Sequence, residues 1–407
     1  MRSVLEAPAP IERTTTTKQP LGRPTFLAFV SEGETETLLR ECVSELVPGN
    51  GSIMRGGIAK AVTHLGQHRS PQILIVDISG VELPISKVNE LADVCEPGVA
   101  VIAIGNRDEI GLYRELLRAG VTDYVVKPLN PRLLAKALTD GRVRPSEASP
   151  IHKKLGTLVA FVGARGGVGT TTLAVNTAWH LAHRQTRRVA LVDLDLQNGD
   201  CALALEIKAT SGLSEALANP LRIDNTLLER VMSPVGERLF VLSSEEPLHE
   251  DLHFTAVAVE TLVSVLREQF HYVILDVPRI PAAPYRRALE IADCRIVVAD
   301  QTLRSVRDTV RLRAVLGDGD GKRRNLLVVN RHGEGGRHAV TLQEMQQVLE
   351  VKPNSVIPFQ PTLFAMVTGS TKIAAARRGK FREAISTLAL GLSGRTPERR
   401  RWWRVEK

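Results

Sequence analysis

A glycine-rich stretch between an apolar segment and a helical segment has the clearest chemical pattern in the chain. The stretch FVGARGGVGTTTLAVNTA, residues 161–178, contains Gly166, Gly167, Gly169, Thr170, Thr171 and Thr172. Glycines at this spacing let backbone N–H groups approach an anion, and the N-terminus of the following helix adds the positive end of its dipole. A hydroxyl at Thr171 or Thr172 stands where such loops bind Mg²⁺. We therefore expect a phosphate site, although a tight turn alone would also use these glycines.

Three carboxylates follow apolar runs that are typical of buried parallel strands. Asp193 and Asp195 stand two apart in VALVDLDLQNGD, and Asp276 follows the run YVIL. Side chains at positions i and i+2 of a strand point to the same face, so we expect Asp193 and Asp195 to face one site. In open α/β sheets, ligands bind beyond the carboxyl ends of the strands, and a metal–phosphate site needs a carboxylate there. The sequence predicts that these aspartates hold Mg²⁺, directly or through water.

Length and composition bound the class of protein. The chain has 407 residues, of which 43% are hydrophobic and 24% charged, a globular composition with room for two or three domains. The four cysteines are far apart and form no C-x-x-C pair, which disfavours a disulfide framework or a zinc site and favours a reducing cytosol. We find no signal peptide and no apolar run of roughly 18 residues, so a cytoplasmic protein without a transmembrane helix is expected.

Alternating strand and helix patterns predict two α/β domains. Residues 1–24 are rich in Thr and Pro and are expected to be disordered. TFLAFV, QILIVD, VAVIAIG and DYVVKPL predict a parallel sheet in a first domain, 25–140. The segment 141–154 lacks periodicity and is interpreted as a linker. Seven further strand patterns, from TLVAFVG to SVIPF, predict a larger doubly wound domain over 155–392, followed by a basic tail, 393–407.

The second domain resembles the ParA/MinD family of deviant phosphate-loop (P-loop) ATPases. The resemblance rests on ARGGVGTTTLAVNTAWHLA, RVALVDLDLQNGD, FHYVILDVP and LLVVNR, and it covers residues 155–392. It implies that ATP or ADP binds together with Mg²⁺. The residues that would hold the phosphates are Gly166, Gly167, Val168, Gly169, Thr170, Thr171 and Thr172.

The same resemblance implies roles for individual side chains. Thr171 would bind Mg²⁺, and Asp193 and Asp276 would support the metal. Asp195 would orient the attacking water, and Asn330 would face the adenine. The resemblance also implies a nucleotide-sandwich homodimer, in which the first lysine of the family's loop reaches the nucleotide of the partner.

Three positions depart from the family's pattern, Lys-Gly-Gly-x-Gly-Lys-Thr-Thr. Arg165 replaces the first lysine and keeps a cation, although with a planar fork in place of a point charge. Thr170 replaces the second lysine, so the charge that would contact the β- and γ-phosphates is absent. Ala164 replaces a leading glycine, which matters less. Because transition-state electrostatics is usually the largest catalytic term, we expect hydrolysis to be weak or absent unless Arg165 or a partner supplies the charge.

The first domain resembles a response-regulator receiver domain. Asp77 stands at the phosphoacceptor position in LIVDIS, and Lys127-Pro128 matches the family's Lys-Pro pair. The acidic pair expected after the first strand is Ser31-Glu32, and Gly105 replaces the expected hydroxyl residue, so half of the Mg²⁺ pocket is missing. We interpret the domain as an atypical receiver that serves docking or dimerisation. A strand-end role for Asp77 without chemistry, and a phosphorylation-controlled regulator, stay open.

A receiver-like domain joined to a ParA/MinD-like domain with a changed loop resembles the TadZ/CpaE family of pilus-assembly proteins. This resemblance covers nearly all of the chain after residue 24. It implies a cytoplasmic protein at a cell pole, peripheral to the inner membrane, that recruits the machinery of the Flp (tight-adherence) type IVb pilus. The alternative hypothesis is an active ParA/MinD-type ATPase switch that positions a cargo through ATP-dependent dimerisation.

The C-terminal tail is basic and contains two adjacent tryptophans. From Arg395 onward it has six basic and two acidic residues, a net +4 and half of the +8 of the whole chain. Trp402 and Trp403 among arginines suit a membrane surface or a partner's groove, but the tail is short and has few apolar residues. A frayed basic terminus whose tryptophans pack back on the domain is therefore favoured. Nothing in the sequence matches a base-reading motif, so no specific nucleic-acid partner is expected.

Overall fold

Two separate β-sheets organise the chain. The structure, a computed structural model, describes residues 23–46, 51–143, 155–317, 319, 323–368 and 373–392. The predicted disordered segment up to residue 22, most of the predicted linker and the whole basic tail with Trp402 and Trp403 lie outside the described residues. Within the described residues, no helix is both long and apolar enough to cross a membrane.

The N-terminal sheet is parallel and has five strands. They are β1 (Phe26–Val30), β2 (Gly51–Arg55), β3 (Ile73–Asp77), β4 (Ala100–Gly105) and β5 (Asp123–Val126), in the spatial order β2-β1-β3-β4-β5. The helices are α1 (Gly33–Leu46), α2 (Gly57–Gln67), α3 (Pro84–Val94), α4 (Ile110–Arg118) and α5 (Pro131–Val143). This strand order is the flavodoxin-like one, which places a crevice at the carboxyl ends of β1 and β3.

The sequence patterns predicted four of the five strands of this sheet, and the edge strand β2 was not predicted. The strand β2 is mostly exposed and has no apolar run, because it pairs only with β1. The apolar strands β1 and β3 are buried along their whole length, which is why their patterns were clear. The helix α5 begins at a proline, as predicted, and continues to Val143, three residues into the predicted linker.

The C-terminal sheet has eight strands in the order β13-β12-β11-β6-β10-β7-β9-β8. They are β6 (Thr157–Gly163), β7 (Val189–Asp193), β8 (Ser233–Val235), β9 (Leu239–Leu242), β10 (Tyr272–Val277), β11 (Cys294–Ala299), β12 (Arg324–His332) and β13 (Ser355–Pro358). Only β8, an edge strand with an exposed proline, pairs antiparallel and was not predicted.

Helices cover both faces of this sheet. They are α6 (Thr170–Arg184), α7 (Cys201–Leu205), α8 (Gly212–Ala218), α9 (Asn225–Val231), α10 (Ala256–Arg267), α11 (Ala283–Ile291), α12 (Leu303–Leu316), α13 (Leu342–Leu349), α14 (Pro361–Thr368) and α15 (Lys380–Leu392). Short 3-10 helices span Pro220–Arg222, Gly336–His338 and Ala374–Ala376.

Alternation along the central strand β6 divides the core into two layers. Leu158, Ala160 and Val162 pack on the side of α10, whereas Val159 and Phe161 pack on the side of α6. Because both faces are covered, the central strands β6 and β10 are buried along their whole length. The candidate site residues Asp193 and Asp276 lie at the carboxyl ends of β7 and β10.

A buried carboxylate after α3 joins the two domains. Glu96 is 4% exposed and accepts from Arg69 through Nη2 at 3.1 Å, while Arg23 Nε lies 3.2 Å from Glu96 Oε2. Arg188 of the C-terminal domain approaches Glu96 Oε1 at 3.9 Å. Burial disfavours the charged form of Glu96, but the charges of Arg188 and Arg69 outweigh it and hold its pKa below its ordinary value.

Arg188 enters this contact between two aromatic rings. Its guanidinium carbon lies 4.5 Å from the centroid of Phe240 and 4.7 Å from that of Phe270, and the residue is 2% exposed. Burial lowers the pKa of Arg188 to about 9 despite the charge of Glu96. A second contact across the boundary is a hydrogen bond of 2.9 Å from Arg238 Nη2 to the carbonyl of Gly66. The domains therefore share a desolvated ionic junction.

Candidate functional site

The glycine-rich loop joins the end of β6 to the start of α6, as the sequence predicted. Gly167 and Gly169 have φ of 77° and 89°, a region that residues with a Cβ rarely adopt. A Cβ on Gly166 would meet no atom within 4 Å, so the outer side of the loop is open. In the described part of the chain, the N–H groups of these three glycines have no hydrogen-bond acceptor. The loop thus presents free donors at a helix N-terminus to an open space, which suits a phosphate group.

Asn330, at the end of β12, holds the loop in place. Its side-chain amide donates to the carbonyl of Val168 at 2.7 Å, and Asn330 is 7% exposed. A Cβ on Gly169 would stand 2.5 Å from the same amide nitrogen. The contact of Asn330 that the structure describes is therefore with the loop, and its predicted contact with adenine stays a prediction.

Two of the predicted aspartates meet behind the loop. One ligand atom each of Asp193, Asp276 and Cys201 lies within 4.8 Å of the others, and all three residues are buried. Asp193 Oδ2 accepts from the N–H of Cys201 at 3.0 Å, and the Cys201 thiol lies 3.8 Å from Asp276 Oδ2. The side chain of Thr171 lies near Asp276 and acts to lower the pKa of its carboxyl group. The predicted metal residues Thr171, Asp193 and Asp276 therefore lie together.

Two buried carboxylates at this distance disfavour each other's ionisation. Burial and the charge of Asp193 raise the pKa of Asp276 to about 7. Burial also raises the pKa of Asp193, against the hydrogen bond from the Cys201 N–H. Burial and the two carboxylates raise the pKa of the Cys201 thiol, which favours its neutral form. A cation would relieve this repulsion, and carboxylate and hydroxyl oxygens are ligands suited to Mg²⁺.

Asp195 lies near this cluster for a reason other than the predicted one. The strand β7 ends at Asp193, so strand alternation does not orient Asp195, and that part of the sequence argument was wrong. A turn positions it instead: its N–H donates to Asp193 Oδ1 at 3.2 Å, and its own carboxylate accepts from the N–H of Asn198 at 3.0 Å. Asp195 is partly exposed, as a residue that contacts water must be.

Thr170 is the first residue of α6, at the position of the family's second lysine. Its hydroxyl packs toward the end of β6, where a Cβ on Gly163 would lie 2.6 Å from Thr170 Oγ1. The Arg165 guanidinium forms an ion pair with Asp300 and donates to the carbonyl of Gly166 at 2.8 Å. Arg165 is thus bound beside the loop and does not replace the missing lysine within it.

Sequence reasoning missed two residues that contribute to this region. Asp300 follows the apolar strand β11, which is the same signal that identified Asp276, so the pattern could have revealed it. Cys201 begins α7 and reaches the carboxylates only through the turn after β7. No pattern in the sequence indicates that contact.

The N-terminal domain has a separate polar cluster at the carboxyl end of its sheet. Asp77 is 1% exposed and accepts from Lys127 Nζ at 2.9 Å, and the same ammonium lies 2.9 Å from Glu32. Asp77 also accepts from the backbone N–H groups of Ser31 and Ser79 at 3.0 and 2.9 Å. Burial opposes ionisation, but the hydrogen bonds from Lys127 and Ser79 outweigh it and lower the pKa of Asp77. The carboxylate is enclosed and paired.

The C-terminal domain is similar in sequence to known proteins. A family profile described as AAA domain matches residues 156–316. The septum site-determining protein MinD of Synechocystis sp. is 30% identical over 173 residues, 42% of this chain and 63% of that protein. The chain therefore spans less than two thirds of the length of this curated relative.

Two solved structures are similar to different parts of the chain. The septum site-determining protein MinD complexed with Mg-ADP from Pyrococcus horikoshii OT3 has a TM-score of 0.50 and 21% identity, covering 58% of this chain and 96% of its own. The pilus assembly protein CpaE of Caulobacter crescentus CB15 is 30% identical over 29% of this chain and 98% of its own, with a TM-score of 0.27.

The C-terminal domain has a ParA/MinD-like P-loop fold, which it shares with the MinD structure from Pyrococcus horikoshii OT3. It follows an N-terminal domain built on a parallel sheet of five strands. Both parts of the predicted fold class are therefore confirmed.

Proposed function

We propose that this protein is a nucleotide-binding scaffold that binds ATP or ADP with Mg²⁺ and hydrolyses ATP weakly or not at all. The observation that supports this most is Thr170 at the start of α6, with its short side chain turned toward β6. The open glycine loop and the buried carboxylates remain, so the elements for binding are present. The element that is missing is the charge that stabilises the transition state.

The loop and the residues near the strand ends would bind different parts of the Mg²⁺–nucleotide complex. The N–H groups of Gly166, Gly167 and Gly169 would donate to the phosphates. Thr171, Asp193 and Asp276 would hold Mg²⁺, which would neutralise phosphate charge when bound. Asp195, in its turn beside them, would orient a water molecule. Because Thr170 replaces the second lysine of the family's pattern, these groups favour a bound nucleotide over its hydrolysis.

Arg165 would restore catalysis if its guanidinium reached a phosphate, but its ion pair with Asp300 opposes this. To contact a phosphate of its own or of a partner's nucleotide, its guanidinium would have to leave Asp300, which is almost fully buried. Separating a buried carboxylate from its partner is costly, so the resting arrangement opposes this movement. We accordingly propose that Arg165 stays paired with Asp300 in the scaffold, and that it has a catalytic role only in the alternative.

At the level of the cell, we propose that the protein serves assembly of the Flp type IVb pilus. The support is the combination of a receiver-like sheet with a P-loop domain that lacks the loop lysine, the combination on which the TadZ/CpaE resemblance rests. A cytoplasmic location at a cell pole, peripheral to the inner membrane, and recruitment of pilus components through the receiver-like domain belong to this proposal.

The receiver-like domain is proposed as a docking or dimerisation module rather than a phosphorylation switch. Ser31-Glu32 and Gly105 leave the Mg²⁺ pocket around Asp77 incomplete, and Asp77 itself is buried, so we expect a phosphodonor to react with it poorly. Incubation with acetyl phosphate and Mg²⁺, followed by intact mass measurement, tests this point. A phosphate adduct that is lost in Asp77→Asn would contradict the docking assignment.

The central test is to measure ATP binding and steady-state ATP hydrolysis on the purified full-length chain. We expect Mg²⁺-dependent binding of a fluorescent ATP analogue and turnover at background. Asp195→Ala is expected to retain binding, because Asp195 is assigned to water and not to phosphate.

Two results would contradict the scaffold proposal in different ways. Turnover well above background that is abolished in Asp195→Ala would establish the alternative, an active ATPase switch, which the retained carboxylates favour. Failure to bind any nucleotide would remove both hypotheses and leave a protein-interaction role.

A further inference from the structure

A cavity of about 390 Å³ opens beside the phosphate loop and is lined mainly by arginines. The five arginines are Arg165, Arg279, Arg304, Arg307 and Arg311, and we call this cavity the arginine pocket. Three of them lie on α12 at positions i, i+3 and i+7, which share one face of a helix. The pocket lies next to the loop but consists mostly of residues outside it.

A buried aspartate holds the arginines in position. Asp308 is 3% exposed and forms ion pairs with Arg307 at 2.9 Å, Arg279 at 3.3 Å and Arg311 at 3.8 Å. The guanidinium groups are fixed on one side by this carboxylate and exposed on the other, since the side chains of Arg307 and Arg311 are 63% and 71% exposed. Their orientation is thus set before a ligand arrives, which reduces the entropy lost on binding.

The charges of the pocket do not balance. Five arginines are opposed by Asp308 and by Asp300, the partner of Arg165, so that five positive and two negative charges leave a net +3. An acidic side chain would bring one negative charge, and a single phosphate monoester brings about −1.5 to −2 at pH 7. A diphosphate group brings more charge than either, and its oxygens match the planar forks of several arginines at once.

We propose that the arginine pocket is a second anion site that binds a diphosphate group. Arg304, Arg307 and Arg311 would contact the phosphate oxygens, and Asp308 would hold Arg307 and Arg311 in place through its ion pairs. The volume is within the range of small-ligand pockets, and its concave shape favours a small ligand over an extended polymer. The site does not depend on nucleotide binding at the loop, because α12 supplies most of its charge.

Isothermal titration calorimetry with inorganic pyrophosphate, in buffer with EDTA, tests the proposal. We expect the wild-type chain to bind and the double variant Arg307→Ala/Arg311→Ala to bind at least about tenfold more weakly. Two controls should stay within about twofold of wild type: Arg230→Ala, an exposed arginine of α9, and Thr171→Asp, whose carboxylate repels phosphates from the loop. Both arginines of the pocket variant are exposed, so the fold should be preserved, and its melting temperature checks this.

Three outcomes would overturn the proposal. The first is no detectable binding of pyrophosphate by the wild-type chain at millimolar concentration. The second is loss of binding in Thr171→Asp but not in the pocket variant, which would place the ligand on the loop. The third is tighter binding of hexaglutamate or of a short DNA duplex than of pyrophosphate, which would assign the pocket to an acidic protein segment or a nucleic acid. ATP binding measured on the same variants distinguishes failure of the pocket proposal from failure of the proposed nucleotide site. The pocket variant should still bind ATP, because its two substitutions lie outside the loop.

Discussion

At the scale of the residue, we propose that Thr170 is the reason why the protein binds ATP but hydrolyses it weakly or not at all. Replacing Thr170 by the lysine of the family's pattern tests this. Thr170→Lys would place an ammonium at the start of α6, where the phosphates are proposed to lie. Because a preorganised donor at such a position contributes about 10²- to 10³-fold to turnover in other enzymes, we expect the ATPase rate to rise at least about tenfold. The measurement is steady-state phosphate release with Mg²⁺.

Thr170→Gln is the matched control for this variant. Its side chain is long and polar but uncharged, so it should leave turnover at the wild-type level. Equal rates in both variants, or no increase in Thr170→Lys despite tight ATP binding, would show that the missing charge is not what limits the enzyme. The cause would then lie with Asp195 or with the absence of a partner.

At the scale of the element, the loop is tied to β12 by the amide of Asn330. In Asn330→Ala the buried carbonyl of Val168 loses its donor, which should cost about 1–3 kcal/mol of stability. The loop would also lose its fixed geometry, so we expect ATP affinity to fall about tenfold. Thermal unfolding and ATP titration measure the two effects.

Asn354→Ala provides the control, since Asn354 makes a hydrogen bond to the same strand away from the loop. Its Oδ1 accepts from the N–H of Leu327 at 2.8 Å. We expect this variant to lose stability but keep ATP affinity. If both variants lowered affinity equally, general destabilisation of β12 would explain the result and the proposed role of Asn330 would be wrong.

The positions of the strands, buried or at an edge, explain why some features could be predicted from the sequence and others could not. The loop, Asp193 and Asp276 could be predicted because each lies within or directly after a buried strand, whose apolar run identifies it. The edge strands β2 and β8 lack such runs, because an edge position has less apolar surface to bury. Asp195 lies beyond the end of its strand, where alternation no longer determines orientation and only the turn does.

At the scale of the whole molecule, Glu96 connects two domains that the sequence describes only separately. Glu96 and Arg188 are 92 residues apart, 188 minus 96, and each stands in a segment without a site motif. Glu96→Gln would leave Arg188 buried without its counter-charge, which typically costs about 3–5 kcal/mol. We expect a corresponding loss of stability in chemical denaturation and faster cleavage between the domains in limited proteolysis.

Glu90→Gln removes a carboxylate from the neighbouring helix α3, where Glu90 pairs with Lys87 in solvent. Exposed pairs contribute at most about 1 kcal/mol, so this control should differ little from wild type. Similar losses in the two variants would show that the junction is no stronger than a surface pair.

We expect salt to affect the arginines of the arginine pocket more strongly than Arg188 at the junction between the domains. Dissolved ions screen charges that face water, such as Arg307 and Arg311, but act weakly on charges enclosed in protein, such as Arg188 between its aromatic rings. Rising ionic strength should therefore release an anion from the arginine pocket while the domains stay joined. During purification, a high-salt wash would remove co-purifying anions without exposing the junction, so the protein would leave the column both cleared of ligand and intact.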